Sequence, residues 1–585
     1  MTTAVISAPI KGPDCHLERP VTGRPATALS KIDIVIGASV FTLMLVLRWL
    51  YLRSHAWNSD EPQHLHIVWA WANGLLPYRD VFDNHSPLFS WLCAPLLRWF
   101  GERADIVELM RVAMWPLFAI DLWCLYKLGA VIFSPRCGLW TAVLAGLLPN
   151  WFVKMGEFRT DVLWTTLWLV TLLVLFTGRL TSRRLFFAGL TLGAAFSVSM
   201  KTTYLLLTLI AAAGGALAMQ RLFINGSLRA KLDPLAWSRH IAAATAGMMI
   251  IPGLFIAFFA AHGALPQLYY CVIQHNWIPG SHTPWHILRG FRSVHTLVFL
   301  PAIAFAATTL PLFAIDPLRA FRQLFIRLAA GFCDPLLHGL WPMITPQDYL
   351  PLYPLMAIVA TPSVLWFGDK IAELCRWRAP LFLVPALVAL AELVWLIYDH
   401  PLWIRPNAGN IAAIAEVLQL AKTGEYVMDA KGDSIFRPRP YYYVLETLTR
   451  KRLYKGLLPD ELPQRLVDTR TTVLRVTDRM TSDSKQFVAQ NYIPVGHVWV
   501  AGKMLTPRDS HSYSFEVTIP VCYTLVSKSG TLTGLLDGTP WDGPRMLSPG
   551  SHEFQRTSDS GAIALVWARA AEKGFSPFRL RSPLL

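Results

Sequence analysis

Long apolar runs separated by short polar clusters fill the first 400 residues of the chain. A membrane-crossing helix needs roughly 20 apolar residues, and on that measure the runs predict about eleven crossings. The first covers Ile32 to Leu52, and others lie near Leu109 to Phe133, Gly138 to Val153, Asp161 to Thr177 and Ile241 to Ala261. Four more lie near Thr296 to Ile315, Leu324 to Met343, Leu350 to Phe367 and Leu381 to Tyr398. The run Leu185 to Met219 is too long for one crossing, short for two, and carries Lys201 near its centre. It predicts two short helices whose tip presents Lys201 at the surface opposite Arg183 and Arg184. His64 to Leu76 and Pro87 to Phe100 are apolar but too short to span, and their Trp content predicts helices lying along the interface.

The pattern changes after His400. An amphipathic helix over Asn410 to Lys422, a helical turn over Leu462 to Val467 and short strands over Glu425 to Asp429, Thr472 to Val476 and Val495 to Val500 predict an α/β module covering 401–508. Beyond it, β runs at Phe515 to Val521 and Ile563 to Trp567, with the turn signals Asp537-Gly538 and Pro549-Gly550, predict a β-sandwich-like module over 509–585.

Composition agrees with the hydropathy pattern. Of 585 residues, 54% are hydrophobic and only 16% charged, with 23 Trp and 31 Phe, so the class is a polytopic α-helical membrane protein. The net charge of +15 is spread in short basic clusters between apolar runs, which is a topological signal and excludes a nucleic-acid footprint. Arg179, Arg183 and Arg184, the loop with Arg221 and Lys231, and the loop with Lys370, Arg376 and Arg378 fall on one side, which the positive-inside rule makes cytoplasmic. The tail 1–31 shares that side, while loop 53–107 and everything after about Asp399 face outward. The eight Cys show no short pairing and are read as small packing residues.

The rare charges concentrate after the first crossing, in Asn58 to His66 and Pro77 to Leu88, which bring Asp60, Glu61, His64, Asp80, Asp83 and His85 to the membrane surface. Titratable groups are costly there and mark a site. Each has a plainer reading beside the functional one. Ser59 or Asp60 can cap a helix entered through Pro62, and Asp83 or His85 can cap one beginning at Pro87. Lys201 can be half of an ion pair with Asp161 or Glu157. Glu61 and His64, three residues apart, are a candidate pair for a divalent cation. Arg111, Arg159, Lys201, Arg289 and Arg292 are the outward cations available to a phosphate. Asp121, inside a crossing, is read as structural.

Asp60-Glu61 directly after the first crossing, then Pro77 to Asp80 and Asp83 to Leu88, resembles the first outward loop of the GT-C glycosyltransferases that use polyprenyl-phosphate sugars, as in the protein O-mannosyltransferases and lipid A aminoarabinose transferases. Arg159-Thr160-Asp161, Lys201 and the run Asp348 to Pro354 with Tyr349 follow in matching order over about the first 400 residues. The chain departs from the pattern at Ser86, where a Pro is usual, and at Asp348, where a basic residue is common. The resemblance implies an inverting transfer on the outer face of a bacterial inner membrane, from a polyprenyl-phosphate-linked sugar to a lipid, glycan or protein acceptor. It makes Asp60 and Glu61 the catalytic residues. It places His64, Asp83, His85, Arg159 and Lys201 at the substrate and its phosphate, with Arg111, Asp161 and Tyr349 in support.

Two other classes remain open on sequence. One is a transporter or flippase for a polar or lipid-linked solute, against which the charges lie in a loop rather than at mid-membrane. The other is a non-catalytic envelope-assembly factor whose outer modules bind glycan or protein.

Overall fold

The computed structural model describes residues 29–223, 234–278, 317–341, 343–374, 382–507, 511–557 and 561–578. Helix α1 (Lys31–Ser54) opens with a capping box between Ser30 and Asp33 and exposes Ile34, Val35 and Trp49 on its outer face, as a lipid-facing helix does. The turn after it leads into α2 (Asp60–Ala72) and α3 (Leu88–Phe100). The sequence expectation for α2 was an interfacial helix, but Glu61 through Ala70 are all buried. Trp71 packs against Phe258 and Phe259 of the helix ending at Ala261 and donates to Ser90, while His66 meets the C-terminal region at the Ile435 carbonyl. Helix α3 instead exposes Trp91, Leu92 and Trp99 along one side and buries Leu88, Phe89, Ala94 and Leu97.

Helices α4 (Ile106–Arg111) and α5 (Trp115–Ile132), joined by a short 3-10 turn, form one crossing. The expected crossing at 138–153 is divided into α6 (Pro135–Leu147) and α7 (Pro149–Lys154), because Pro149 has no N–H with which to continue the ladder. Helix α8 (Thr160–Phe176) follows. The long run resolves as anticipated into α9 (Ser182–Val198) and α10 (Thr202–Phe223), with Lys201 in the turn between them. Helix α11 (Pro234–Ala261) crosses against α9 at very short range. A side-chain carbon added at Gly189 or Gly193 would meet the Ala244 or Met248 carbonyl oxygen at 2.0 and 2.2 Å, so these small residues set the approach. A short helix α12 (Leu265–Tyr269) continues as a π-turn through Gln274. Then come α13 (Pro317–Leu340), α14 (Leu352–Leu374) and α15 (Leu383–Asp399). Five helices among the described residues are long and apolar enough to cross a membrane. The crossing expected near Thr296 to Ile315 lies outside the described residues.

Helix α16 (Ala408–Leu420) begins the C-terminal region, whose strands form two sheets. In the larger, β1 (Val427–Met428) pairs in parallel with β2 (Val473–Leu474), and β2 pairs with β4 (Trp499–Leu505), which also takes β3 (Tyr492–Pro494). Strand β4 then pairs with β11 (Ile563–Trp567), β11 with β6 (Cys522–Ser527), and β6 with β9 (Arg545–Met546). The second sheet runs β5 (Ser512–Val517), β10 (Gly550–Arg556), β7 (Gly534–Leu536) and β8 (Thr539–Pro540). The larger sheet therefore passes through the boundary expected near residue 508, and the two modules share a core.

This region is seated on the bundle by directed contacts. Asn407 donates to the His55 carbonyl (2.9 Å) and accepts from the Trp57 N–H (2.8 Å). Arg437 meets both Glu102 oxygens at 2.9 Å, Tyr442 donates to the Tyr78 carbonyl, and Arg452 donates to the carbonyls of Gln274, His275 and Trp277. The run Arg437 to Tyr443, which on sequence suited either substrate contact or docking, docks.

Candidate active site

Arg111 on α4 builds the turn between α1 and α2. Its guanidinium, 2% exposed, donates to the backbone carbonyls of Leu52, His55 and Ala56 and forms a two-pronged pair with Glu61, at 2.7 Å from Nε and 2.6 Å from Nη2. Glu61 also accepts the N–H groups of Asn58 and Phe158, each at 2.8 Å. A buried carboxylate with this many donors is satisfied and fixed. Glu61 therefore does not line the cleft described below, and its oxygens are committed to the frame rather than to substrate. The same saturation removes the candidate Glu61–His64 cation pair. Among the described residues no group of three or more His, Cys, Asp or Glu side chains is placed to hold a metal ion. Arg111 is likewise spent on this frame instead of reaching a phosphate.

The capping reading of Asp60 also gives way. Ser59 makes no side-chain cap, and the Asn58 side chain instead accepts the Asp60 N–H at 3.1 Å, with Glu61 returning to the Asn58 N–H. Asp60 is left to other partners. Arg159, just ahead of α8, reaches it through Nη1 at 2.8 Å, and Lys431, from the loop after β1, pairs with its other oxygen. Burial alone would raise the Asp60 pKa, but these two cations outweigh it and hold the carboxyl well below its usual range.

Asp60 lines a cleft of about 820 Å³, open mouth included, at the end of the bundle that carries the C-terminal module. Asp161, Arg159 and Lys201 line the same cleft, as do His85 and Asp348. Arg159 lies between carboxylates, 3.1 to 3.2 Å from Asp161 in addition to its Asp60 contact. Lys201 pairs with Asp348 and stands 3.7 Å from Asp161, so the ion pair anticipated with Asp161 exists but is secondary. Thr345 fixes Asp348 by donating to Oδ2 from N (2.7 Å) and Oγ1 (2.9 Å). Three acids and two cations thus line the cleft, with Lys431 reaching Asp60 from the C-terminal module, and the departure at Asp348 places a carboxylate against Lys201.

His85 enters the cleft on a turn closed by Asp83, which accepts both the His85 N–H (3.0 Å) and Nδ1 (2.9 Å). Asp83 therefore caps neither α3 nor substrate, but orients the His85 ring. His64 is set behind it, edge to face at 4.5 Å between ring centres, with Nε2 lacking a hydrogen-bond partner. Burial, with His85 and Arg159 nearby, keeps the His64 imidazole well below the ordinary histidine range, so it is neutral and brings no charge to a phosphate. Tyr349 is buried and hydrogen-bonded to His338 at 2.8 Å. Asp80 pairs with Arg79 away from the cleft, Asp121 accepts from Thr166 on the facing helix, and Arg289 and Arg292 lie outside the described residues.

Sequence reasoning missed Lys431, Asn84 and Asn276. The two amides line the cleft and are bonded to each other, the Asn276 Nδ2 also reaching the Asn84 carbonyl at 2.9 Å. For Lys431 one signal existed: the polar run Asp429 to Ser434 directly follows a strand, and the carboxyl ends of parallel strands are where open α/β sheets bind ligands.

The model of the dolichyl-phosphate-mannose-protein mannosyltransferase family matches residues 84–228. The fold is similar to that of ArnT from Cupriavidus metallidurans bound to undecaprenyl phosphate, at 14% identity and a TM-score of 0.54, covering 80% of this chain and 97% of that one. The apo form of the same protein gives 0.55 with the same coverage. The oligosaccharyltransferase of Archaeoglobus fulgidus matches more loosely, at 12% identity and a TM-score of 0.43, over 76% of this chain and 70% of that one. None of the curated proteins matches the sequence.

Proposed function

We propose that the chain, whose fold is that of the GT-C membrane glycosyltransferases, is itself such an enzyme and moves a sugar from a polyprenyl-phosphate donor to a hydroxyl-bearing envelope acceptor. The observation that carries this reading is the placement of Asp60 in one cleft with Arg159 and Lys201. In the proposed step Asp60 takes the proton of the acceptor hydroxyl, and the acceptor oxygen bonds to the anomeric carbon. The bond from that carbon to the phosphate oxygen breaks, its electron pair leaving with the polyprenyl phosphate, and the anomeric centre inverts. Arg159 and Lys201 stabilise the charge left on the phosphate. Glu61 serves by holding the turn that aims Asp60, a positioning role in place of the catalytic one expected from the resemblance. Asp83 fixes His85 at the cleft wall, where its ring is available to a sugar hydroxyl.

Membranes containing the full chain and supplied with labelled polyprenyl-phosphate sugar are expected to release polyprenyl phosphate. Lys201→Met is expected to raise the donor KM by about tenfold or more, the usual effect of losing a hydrogen bond to a charged group, with less change in kcat. An unchanged KM would remove Lys201 from the phosphate site.

The site end of the bundle is proposed to face away from the cytoplasm of a bacterial inner membrane, in line with the basic clusters at the other end. A phosphatase reporter fused at Gly409 is expected to be active. Cytoplasmic reporter activity at that position would reverse the orientation.

A further inference from the structure

We propose that the C-terminal module supplies a working residue to the transfer site: the Lys431 ammonium holds Asp60 while the cleft is empty and passes to the donor phosphate when it enters. The inference rests on the donor class proposed above. It starts from how the Lys431 loop is built. Asp429, wholly buried at the end of β1, accepts the Gly432 N–H (2.6 Å), the Ser434 N–H (2.7 Å) and the Ser434 hydroxyl (2.5 Å), and pairs with Arg439 at 3.1 Å. The loop is clamped to α2 on its far side. His66 Nδ1 bonds the Ile435 carbonyl at 2.8 Å, and Gly432, at φ +87°, passes so close that a side-chain carbon there would stand 2.6 Å from the His66 Cβ. A larger residue would lift the loop, so Gly432 is required for both conformation and approach.

This rigid loop brings the Lys431 side chain, 4% exposed, to Asp60 and to the Ser59 hydroxyl at 3.3 Å. A structural ion pair would suffice to hold a module in place, but the module already has the Asn407, Arg437, Tyr442 and Arg452 contacts for that. What the Lys431 pair does instead is neutralise Asp60, one of the two carboxylates that line the cleft beside Arg159.

The charge arrangement makes a handover necessary. The three cleft acids, Asp60, Asp161 and Asp348, already face three cations, Arg159, Lys201 and Lys431. An arriving phosphate therefore finds no uncommitted cation among the described cleft residues and must take one from a carboxylate. Arg159 retains Asp161 through two nitrogens, and Lys201 is held by an Asp348 that Thr345 fixes in place. Lys431 has Asp60 as its one carboxylate partner within ion-pair distance among the described residues, and an ammonium is a point charge on a flexible stem that can turn from one anion to another. Its departure leaves Asp60 with Arg159 alone and makes it a stronger base when the donor is in position. The other charged or titratable groups around the pair are Glu157 and Asp161 beside Arg159, His64 and His85 on the α2 side, and Asp429, Asp433 and Arg439 on the Lys431 loop.

Binding of undecaprenyl phosphate to the detergent-solubilised full chain tests this without an activity assay. Lys431→Met is expected to weaken binding about tenfold and Lys431→Arg to restore most of it, the scale of one charge-assisted hydrogen bond. Asp60→Asn is expected to tighten binding about tenfold, because it removes the anion competing for Lys431, and Lys431→Met in that background is expected to cancel the gain. A merely structural lysine predicts neither the tightening nor its cancellation. Tightening that survives in the double variant overturns the handover, as does Asp60→Asn with unchanged or weaker binding, a result that stands even if Lys431→Met does not fold. Failure of the unaltered chain to bind undecaprenyl phosphate overturns the donor reading together with the handover. Binding that is indifferent to Lys431 overturns the handover alone.

Discussion

Asp60→Asn is expected to reduce sugar transfer by about 10³-fold while leaving a folded protein in the membrane, since a positioned general base contributes roughly 10²–10⁴-fold. Asparagine keeps the shape of the side chain and can still meet Arg159 and Lys431, but it cannot take a proton. Arg159 retains Asp161 at 3.1 Å, while Lys431 loses its one carboxylate partner among the described residues and keeps a hydrogen bond to the Asn oxygen in its place. The measurement is the initial rate of polyprenyl phosphate release at matched protein level, with a thermal melt in detergent to confirm folding. A folded Asp60→Asn that keeps more than about a tenth of the wild-type rate would lie below the smallest general-base contribution and remove Asp60 from the chemistry. Because Arg159 and Lys431 depress the Asp60 pKa, the carboxylate stays ionised at acidity where an ordinary aspartate is protonated. The pH dependence of kcat/KM below neutrality, which reports the free enzyme, is therefore set by other groups until the pH falls below the usual aspartate range.

Arg111→Met is expected to fail differently, through stability. It would strand a wholly buried Glu61 without its guanidinium, and breaking a buried pair in this way costs about 3–5 kcal/mol. Domains have only about 5–15 kcal/mol of net stability, so this loss removes a large share of it. Three carbonyls of the α1–α2 turn would lose their donor as well. The expected result is a lower yield of folded protein and a melting temperature several degrees down, with transfer falling in proportion to folded protein. The comparison with Asp60→Asn separates the two acids of the pair: one variant is inactive and folded, the other poorly folded. A stable, inactive Arg111→Met would return Arg111 and Glu61 to the chemistry itself.

The contrast between these neighbours shows where the sequence was legible. The apolar run ends a few residues before Asp60-Glu61, and in the structure α1 likewise ends at Ser54 with the two acids opening α2. Sequence does not say which of two adjacent acids turns inward, because that depends on Arg111, delivered by another helix. Lys201 was legible for the opposite reason: an ammonium in an apolar run has few places to go, and the helix pair around it follows from length alone. Helix α2 was misplaced because tryptophans suit both a lipid headgroup layer and helix packing, and Trp71 lies against Phe258 and Phe259 of α11. The strand expected at Val495 to Val500 begins later, at Trp499, since Val495 donates to the Val498 carbonyl in a turn and Gly496 with His497 covers the buried Glu416. The polar run after the strand could have marked Lys431, but its partner could not be read, since Asp60 lies 371 residues away and no local periodicity encodes that meeting.

The sheet that joins the two C-terminal modules has a consequence for assembly in time. Strand β11 is flanked on one side by β4 and on the other by β6, yet Ile563 leaves the ribosome about 500 residues after Asp60. The helices that carry Asp60, Arg159 and Lys201 are inserted long before that, whereas the sheet backing the Lys431 loop gains its central strand late. Nascent chains interrupted short of β11 would therefore carry the membrane half of the site before the fold behind the Lys431 loop is complete, leaving Asp60 without its second cation during biogenesis.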